Sequence, residues 1–332
     1  MDLKQQSAGY DSIFSSIDLI STLYPELSGT ITKVDFVTSS ENLTYRVSCG
    51  SRNYALRVQR PGYHNEEEIH AELEFVKVVS DSGVRTAKPL PRYDGKYVSV
   101  IGSPGDVANL ITVFKWVDGR HPEEHEFSAI YARLGELMGH MHNISARVLG
   151  DRSLRRPTWG LEQIIGDNAV WGSWYDSKSV APSEQRLICN FLADFQTRAG
   201  DYIDEARNIG LIHADMRPTN ILVIDNDIAI IDFDDCCYSW HLYDIAASVS
   251  FLEHYANMEE WVARFLDGYS HERKMTREEL YLLPYFIGLR RVHLMAWYHS
   301  HKSSSYGTSL GPDWFDASFE VIEKIRIGKL LN

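Results

Sequence analysis

The sequence predicts an α+β protein in two parts: an antiparallel β-sheet with one internal helix, followed by a larger helical region. Three observations carry that expectation. Apolar residues alternate with period two through most of the first ~115 residues, a single stripe of helical spacing interrupts them, and long helical patterns take over after "VDGRHP". The change of texture divides the chain into residues 1–116 and 117–332, and 332 residues are enough for each part to bury its own core.

The elements follow in order. Residues 11–27 set Ile13, Phe14, Ile17, Ile20 and Leu23 at helical spacing, which predicts an opening amphipathic helix. The runs "ITKVDFVT", "LTYRVSCG", "NYALRVQR", "YVSVIG" and "LITVFKWV" read as strands, with Gly50-Ser51 and Asp94-Gly95 as turns. In "NEEEIHAELEFVKVVSDSG", Ile69, Leu73, Val76 and Val79 form one stripe. Acidic residues crowd its first turn and Gly83 closes it, as a helix end requires. The second part carries "SAIYARLGELMGHMHNIS", "EEWVARFLDGYS" and "LPYFIGLRRVHLMAWYHSH" as helices, and "HKSSSYGTS" reads as a surface loop.

Composition limits the function classes. With 44% hydrophobic and 24% charged residues the chain is globular, neither disordered nor fibrous. A formal net charge of -13 excludes a general nucleic-acid surface, which needs clustered Lys and Arg, and favours a cationic partner if any. No apolar run reaches the ~18–20 residues that cross a bilayer, and the N-terminus lacks the basic start and apolar core of a signal peptide. A soluble, cytoplasmic protein with no membrane partner is expected. Its four cysteines have no zinc-site spacing, so reduced thiols are expected.

The only clear β signal in the second part surrounds "HADMRPTN", residues 213–220. After it come "ILVI", "DND", "IAII" and "DFDD", two short apolar runs around a polar turn, which predict a hairpin. A turn centred on Asn226 pairs positions whose numbers sum to 452, setting Asn220 opposite Asp232 with Cβ atoms about 5 Å apart. An amide oxygen and a carboxylate that meet there suit Mg²⁺, which takes one or two carboxylates and completes its shell with water and phosphates. Asp215 enters the same end, as a base toward a hydroxyl or as a third ligand.

"HADMRPTN" followed by "IDFDD" resembles the catalytic and metal-binding segments of the aminoglycoside phosphotransferase family, which includes small-molecule kinases for choline and homoserine and shares the protein-kinase-like fold. The likeness extends to "WGLEQIIG", "SWHLYDIAASVSFLEH" and "GLRRVHLMAW", most of the chain. It implies an ATP- and Mg²⁺-dependent transfer of phosphate to the hydroxyl of an amino alcohol, amino acid, sugar or aminoglycoside. In that pattern Asp215 is the catalytic aspartate, Asn220 and Asp232 are the metal ligands, His213 orients the loop and Arg217 lies near the transferring phosphate. Asp244, in "YDIA", matches a buried aspartate that braces the loop.

The first part then reads as a nucleotide-binding lobe. Strand alternation places Ala55 and Arg57 on one face, the spacing of the kinase pattern V-A-I-K, with arginine in the lysine position and Ala55 as a floor for adenine. Glu72 borders the buried stripe of the internal helix and is the expected partner of Arg57, with Glu68 as the other candidate. "VTSSENLTYRV" would cover the phosphates through backbone N–H groups and Ser39, Ser40 and Asn42, and backbone groups of Lys115, Trp116 and Val117 would meet adenine. Asp235, Glu253 and Arg290 are candidates for the acceptor site. Two other classes compete. A Ser/Thr protein kinase would carry an activation segment ending in an "APE"-like signature, whereas here "DFDD" runs directly into "CCYSWHLYDIA". A metal-dependent phosphoesterase built on His213, Asp215 and Asp232 would need further ligands at close spacing.

Overall fold

The computed structural model describes residues 17–39, 42–102, 108–148, 154–176 and 178–331, and the chain divides into two compact units. One is formed chiefly by residues 1–118 and the other by residues 119–302 and 306–332. No described helix is long and apolar enough to cross a membrane.

The first unit is a five-stranded antiparallel sheet of order β1-β2-β3-β5-β4. Its strands are β1 (Ile31–Thr38), β2 (Leu43–Cys49), β3 (Arg52–Val58), β4 (Val98–Ile101) and β5 (Asn109–Lys115), each within two residues of the stretch expected for it. Gly50 and Gly95 take φ of 59° and 81° at the two predicted turns, a region that glycine enters without steric cost. Of the opening helix, residues 17–23 are helical and Pro25–Leu27 form a 3-10 turn, while residues 11–16 lie outside the described residues.

The alternation in β3 decides what each face does. Tyr54, Leu56 and Val58 join Ile20, Tyr24 and Leu27 in one core. The opposite face, with Ala55 and Arg57, meets α1 (Glu66–Asp81), whose Ile69 and Leu73 pack on Val98 and Phe114. Asn65 caps α1 through a reciprocal pair with Glu68, which satisfies two orphan N–H groups and commits Glu68 to the helix end.

In the second unit α2 (Phe127–Val148) packs on α6 (Met258–Glu272), with α3 (Leu161–Ile165), α4 (Pro182–Asp204), α5 (His241–Ala247), α7 (Arg277–His301) and α8 (Ser305–Arg326) completing the helices. Two glycines, Gly135 and Gly268, let α2 and α6 approach backbone to backbone. A Cβ at Gly268 would lie 1.8 Å from the Ala132 carbonyl oxygen, and one at Gly135 would lie 2.0 Å from that of Phe265. No side chain can swing aside to relieve either contact. Gly268→Ala is therefore expected to destabilise the unit by about 3 kcal/mol, the upper range for overpacking, as measured by denaturant unfolding.

Four short strands complete this unit: β6 (Ile209–Ile212) pairs β9 (Cys237–Trp240), and β7 (Ile221–Ile224) pairs β8 (Asp227–Ile230). Three expectations need correction. The hairpin register sums to 451, with Ile221 opposite Ile230, because Asp225 takes a left-handed φ of 53° and a two-residue turn suffices where three polar residues were expected. Asn220 therefore stands across from Ile231, whose N–H it accepts at 3.0 Å, and Asp232 is one residue farther on. β9 is a second β element in this half that the period did not reveal. "HKSSSYGTS" is largely helical: α8 starts at Ser305, and a Cβ at Gly307 would lie 2.2 Å from the His301 carbonyl oxygen, so the turn before it is tight.

Candidate active site

β6 delivers the chain to His213, and the backbone then turns sharply at Ala214, which has φ of 64°. An alanine in that region stores about 1 kcal/mol or more of strain and persists only when its surroundings impose it. Asp244, on α5, imposes it: its carboxylate accepts the N–H of Ala214 at 2.7 Å and that of His213 at 3.1 Å. Burial opposes the charge on Asp244, yet the bond from His142 Nε2 (3.0 Å) and the Ala214 N–H hold its carboxyl below the usual range. His142 is in turn fixed by the Tyr269 hydroxyl at 2.8 Å.

His213 is fully buried and links two segments of the site. Its Nδ1 accepts the N–H of Asp215 at 3.3 Å while Nε2 donates to the Ile231 carbonyl at 3.2 Å, the residue before Asp232. That pattern requires neutral imidazole with its proton on Nε2. Burial, opposed by Asp244 and Asp215, keeps His213 below its ordinary pKa. Burial also lowers His142, His241 and His293.

All four histidines bind protons less tightly in the folded chain than in the unfolded one. Their contribution is complete above the ordinary value of 6.5 and is lost as pH falls below it. The thermal unfolding midpoint is expected to drop progressively from about pH 7 to pH 5, before most carboxylates titrate; a flat midpoint over that range would contradict neutral buried histidines.

The Asp215 carboxylate is the meeting point. Asn220 Nδ2 donates to its Oδ2 at 2.7 Å and to its backbone oxygen at 2.8 Å. Arg217 Nε reaches both carboxylate oxygens at 3.1 Å, and Arg290 Nη2 reaches Oδ1 at 2.9 Å. The Arg217 guanidinium lies over Phe251 and Tyr306, 4.9 and 5.1 Å from the ring centroids, and so is drawn back on the carboxylate.

Asn220 gives its N–H groups to Asp215 and keeps Oδ1 as an acceptor. Asp232, exposed and with φ of 63°, offers a carboxylate just past the open end of the hairpin. An amide oxygen and a carboxylate form a hard oxygen set, which fits Mg²⁺ in kind. Among the described residues no group of three His, Cys, Asp or Glu gathers as a metal centre.

The three acceptor-site candidates diverge. Glu253 is buried and spent on Arg291 at 2.5 Å, where both side chains have no exposure. Arg290 is buried as well and bonded on three sides, so it presents nothing to an acceptor directly. Asp235 is half-buried and close enough to help raise the pKa of Arg290, behind stronger contributions from Tyr243 and Asp215 that together overcome burial. The bond between Arg290 and Asp215 escaped sequence reading, which named Arg290 as an acceptor-site candidate without fixing the direction of its side chain.

In the first unit Arg57 Nη2 lies 2.7 Å from both carboxylate oxygens of Glu72, with the guanidinium 5.0 Å from the Phe114 ring centroid. Both residues are buried, as the alternation of β3 and the stripe of α1 dictate. Ala55 packs beside Ile69 and Phe114. Several of the backbone and loop groups expected to meet the nucleotide make bonds within this unit. Asn42 Oδ1 accepts the Arg60 N–H at 2.8 Å and so ties the segment before β2 to the one after β3. The N–H groups of Lys115 and Trp116 are taken by Lys88 and Asn53 carbonyls. Ser39 is half-buried, and Ser40 lies outside the described residues.

Comparison with known proteins adds the following. Residues 35–283 match the model of a family described as the phosphotransferase enzyme family. Amicoumacin kinase of Bacillus subtilis is 23% identical over 278 residues, 80% of each chain. A solved microcompartment-associated aminopropanol kinase is 30% identical, covers 90% of this chain and 94% of its own, and superposes with a TM-score of 0.81. An amicoumacin kinase solved with AMP-PNP, Ca²⁺ and Ami shares the fold at a TM-score of 0.74 and 22% identity, covering 97% and 96% of the two chains.

Proposed function

The chain belongs to the phosphotransferase enzyme family, with the protein-kinase-like fold, and on that premise we propose that it transfers the γ-phosphoryl group of ATP to the hydroxyl of a small amino alcohol. Kinase action on a small molecule is the family's chemistry. The observation that carries the finer reading is the Asp215 carboxylate, fixed by Asn220 and two arginines at the end of a rigid hairpin. Phosphoryl transfer asks a protein for alignment and charge more than for covalent chemistry.

Asp215 receives the hydroxyl proton as the acceptor oxygen bonds to γ-phosphorus and the bridging oxygen departs on ADP. Asn220 and Asp232 would hold Mg²⁺, which when bound neutralises phosphate charge. Arg217 spreads charge near the reacting phosphoryl group. In the other unit Arg57, oriented by Glu72, holds the α- and β-phosphates as a fork in place of the lysine of related patterns.

Two features favour a small basic acceptor. The similarity to the aminopropanol kinase covers nine-tenths of the chain, and the formal charge of -13 suits an amine-bearing substrate. A protein substrate is disfavoured because β9 starts at Cys237, leaving no length after Asp232 for an activation segment. In a mixture of labelled ATP, Mg²⁺ and a panel of amino alcohols, label is expected on the hydroxyl of an amino alcohol, and a chelator is expected to abolish transfer. Release of inorganic phosphate from phosphoesters without nucleotide, or label confined to a protein acceptor, would reject the reading.

A further inference from the structure

The structure assigns Arg290 as the positioning residue of Asp215, an inference that rests on the reading of Asp215 as the base. A carboxylate presents about four lone-pair directions. On Asp215 they are filled: Oδ1 takes Arg290 Nη2 and Arg217 Nε, and Oδ2 takes Asn220 Nδ2 and the same Arg217 Nε. An acceptor hydroxyl must therefore displace one donor before it can bond to Asp215.

The geometry says which one yields. Arg217 divides a single N–H between two oxygens at 3.1 Å each, its side chain is 16% exposed, and its bond from Nη1 to the Tyr306 hydroxyl is 3.4 Å long. Asn220 is held twice by Asp215, at 2.7 and 2.8 Å. Arg290 is 1% exposed and anchored by every arm of its fork: Nε to Ser250 Oγ at 2.9 Å, Nη1 to the Tyr243 hydroxyl at 3.0 Å, and Nη2 to Asp215. Trp171 and Tyr243 flank its guanidinium at 5.4 and 5.5 Å, and Tyr243 is itself fixed by His293 Nδ1 at 2.6 Å.

Arg290 and Asn220 thus hold one oxygen each and fix the rotation of the carboxylate. Arg217 moves aside, and the lone pairs it vacates face the acceptor. Arg290 reaches no substrate atom in this arrangement; it acts through Asp215. Planarity matters as much as charge, because a point-charge ammonium cannot hold Ser250, Tyr243 and Asp215 in one plane.

The test compares Arg290→Gln, Arg290→Lys and Tyr243→Phe with the native chain and with Asp215→Asn, using the label-transfer assay. Arg290→Gln is expected to lower kcat about 100-fold, the scale of a misplaced catalytic group, with the KM values for ATP and acceptor nearly unchanged. Arg290→Lys should recover part of that loss by restoring charge. Tyr243→Phe, which keeps the cation and removes one anchor, should lower kcat by about tenfold and carries the test if Arg290→Gln does not fold. Native kcat in folded Arg290→Lys and Tyr243→Phe would overturn the assignment, as would an effect confined to acceptor KM. Those results alongside an inactive Asp215→Asn reject only the positioning role; an active Asp215→Asn removes the base itself and the inference with it.

Discussion

Asp215→Asn is expected to lower turnover by about 10³-fold while nucleotide binding in the other unit is retained, the scale on which positioned general bases act. The substitution keeps the size of the side chain and removes its capacity to take a proton. It also turns one carboxylate oxygen into an NH₂ group, facing donors already present on Arg217, Arg290 and Asn220, so part of the loss will be positional. Single-turnover transfer at saturating ATP, set beside equilibrium binding of a non-hydrolysable nucleotide, separates the two contributions. A variant that retains more than a tenth of native turnover would show that the carboxylate is not the base.

Glu253→Ala is expected to act on stability and not on substrate affinity, with a loss of about 3–5 kcal/mol, as when one member of a buried ion pair is removed. Glu253 lies within 2.5 Å of Arg291, and neither side chain is exposed. Arg291 also bonds Ser318 Oγ at 2.8 Å and the Trp314 carbonyl at 2.5 Å, and its guanidinium stacks 3.9 Å from the Trp314 ring centroid. Arg291 therefore pins α8 to α7, and without Glu253 this buried cation loses its counter-charge. Denaturant unfolding should record the loss, while acceptor KM in the folded fraction stays near native. An acceptor KM that rises with stability unchanged would return Glu253 to the acceptor site.

Much of this molecule was legible in its sequence wherever a residue's role follows from local periodicity. The five strands of the first sheet and α1 were readable because their apolar sets alternate or recur cleanly, and Arg57 and Glu72 could be paired because each position follows from its own element. The convergence of His213, Asp215 and Asn220 followed from their closeness in sequence. What escaped depends on tertiary contact or on one residue's backbone. The left-handed Asp225 shifted the hairpin by one register position, and no pattern of polarity announces such a torsion. β9 is four residues of mixed polarity, a strand because β6 is there to pair with it. Arg290 and Glu253 looked alike as charged residues within apolar stretches, and only the packed structure separates a side chain turned toward Asp215 from one turned toward Arg291.

The chain of bonds from Tyr269 through His142 to Asp244, and from there to the N–H groups of His213 and Ala214, ties a strained turn to the middle of the α2–α6 packing. A relaxed peptide would not adopt that turn unaided, so whatever loosens the bracing lets the backbone fall into an easier shape while the rest of the protein stays folded. Remote lesions in those two helices will then masquerade as chemical knockouts, and silence in an assay will not by itself locate the damaged residue at the reaction centre.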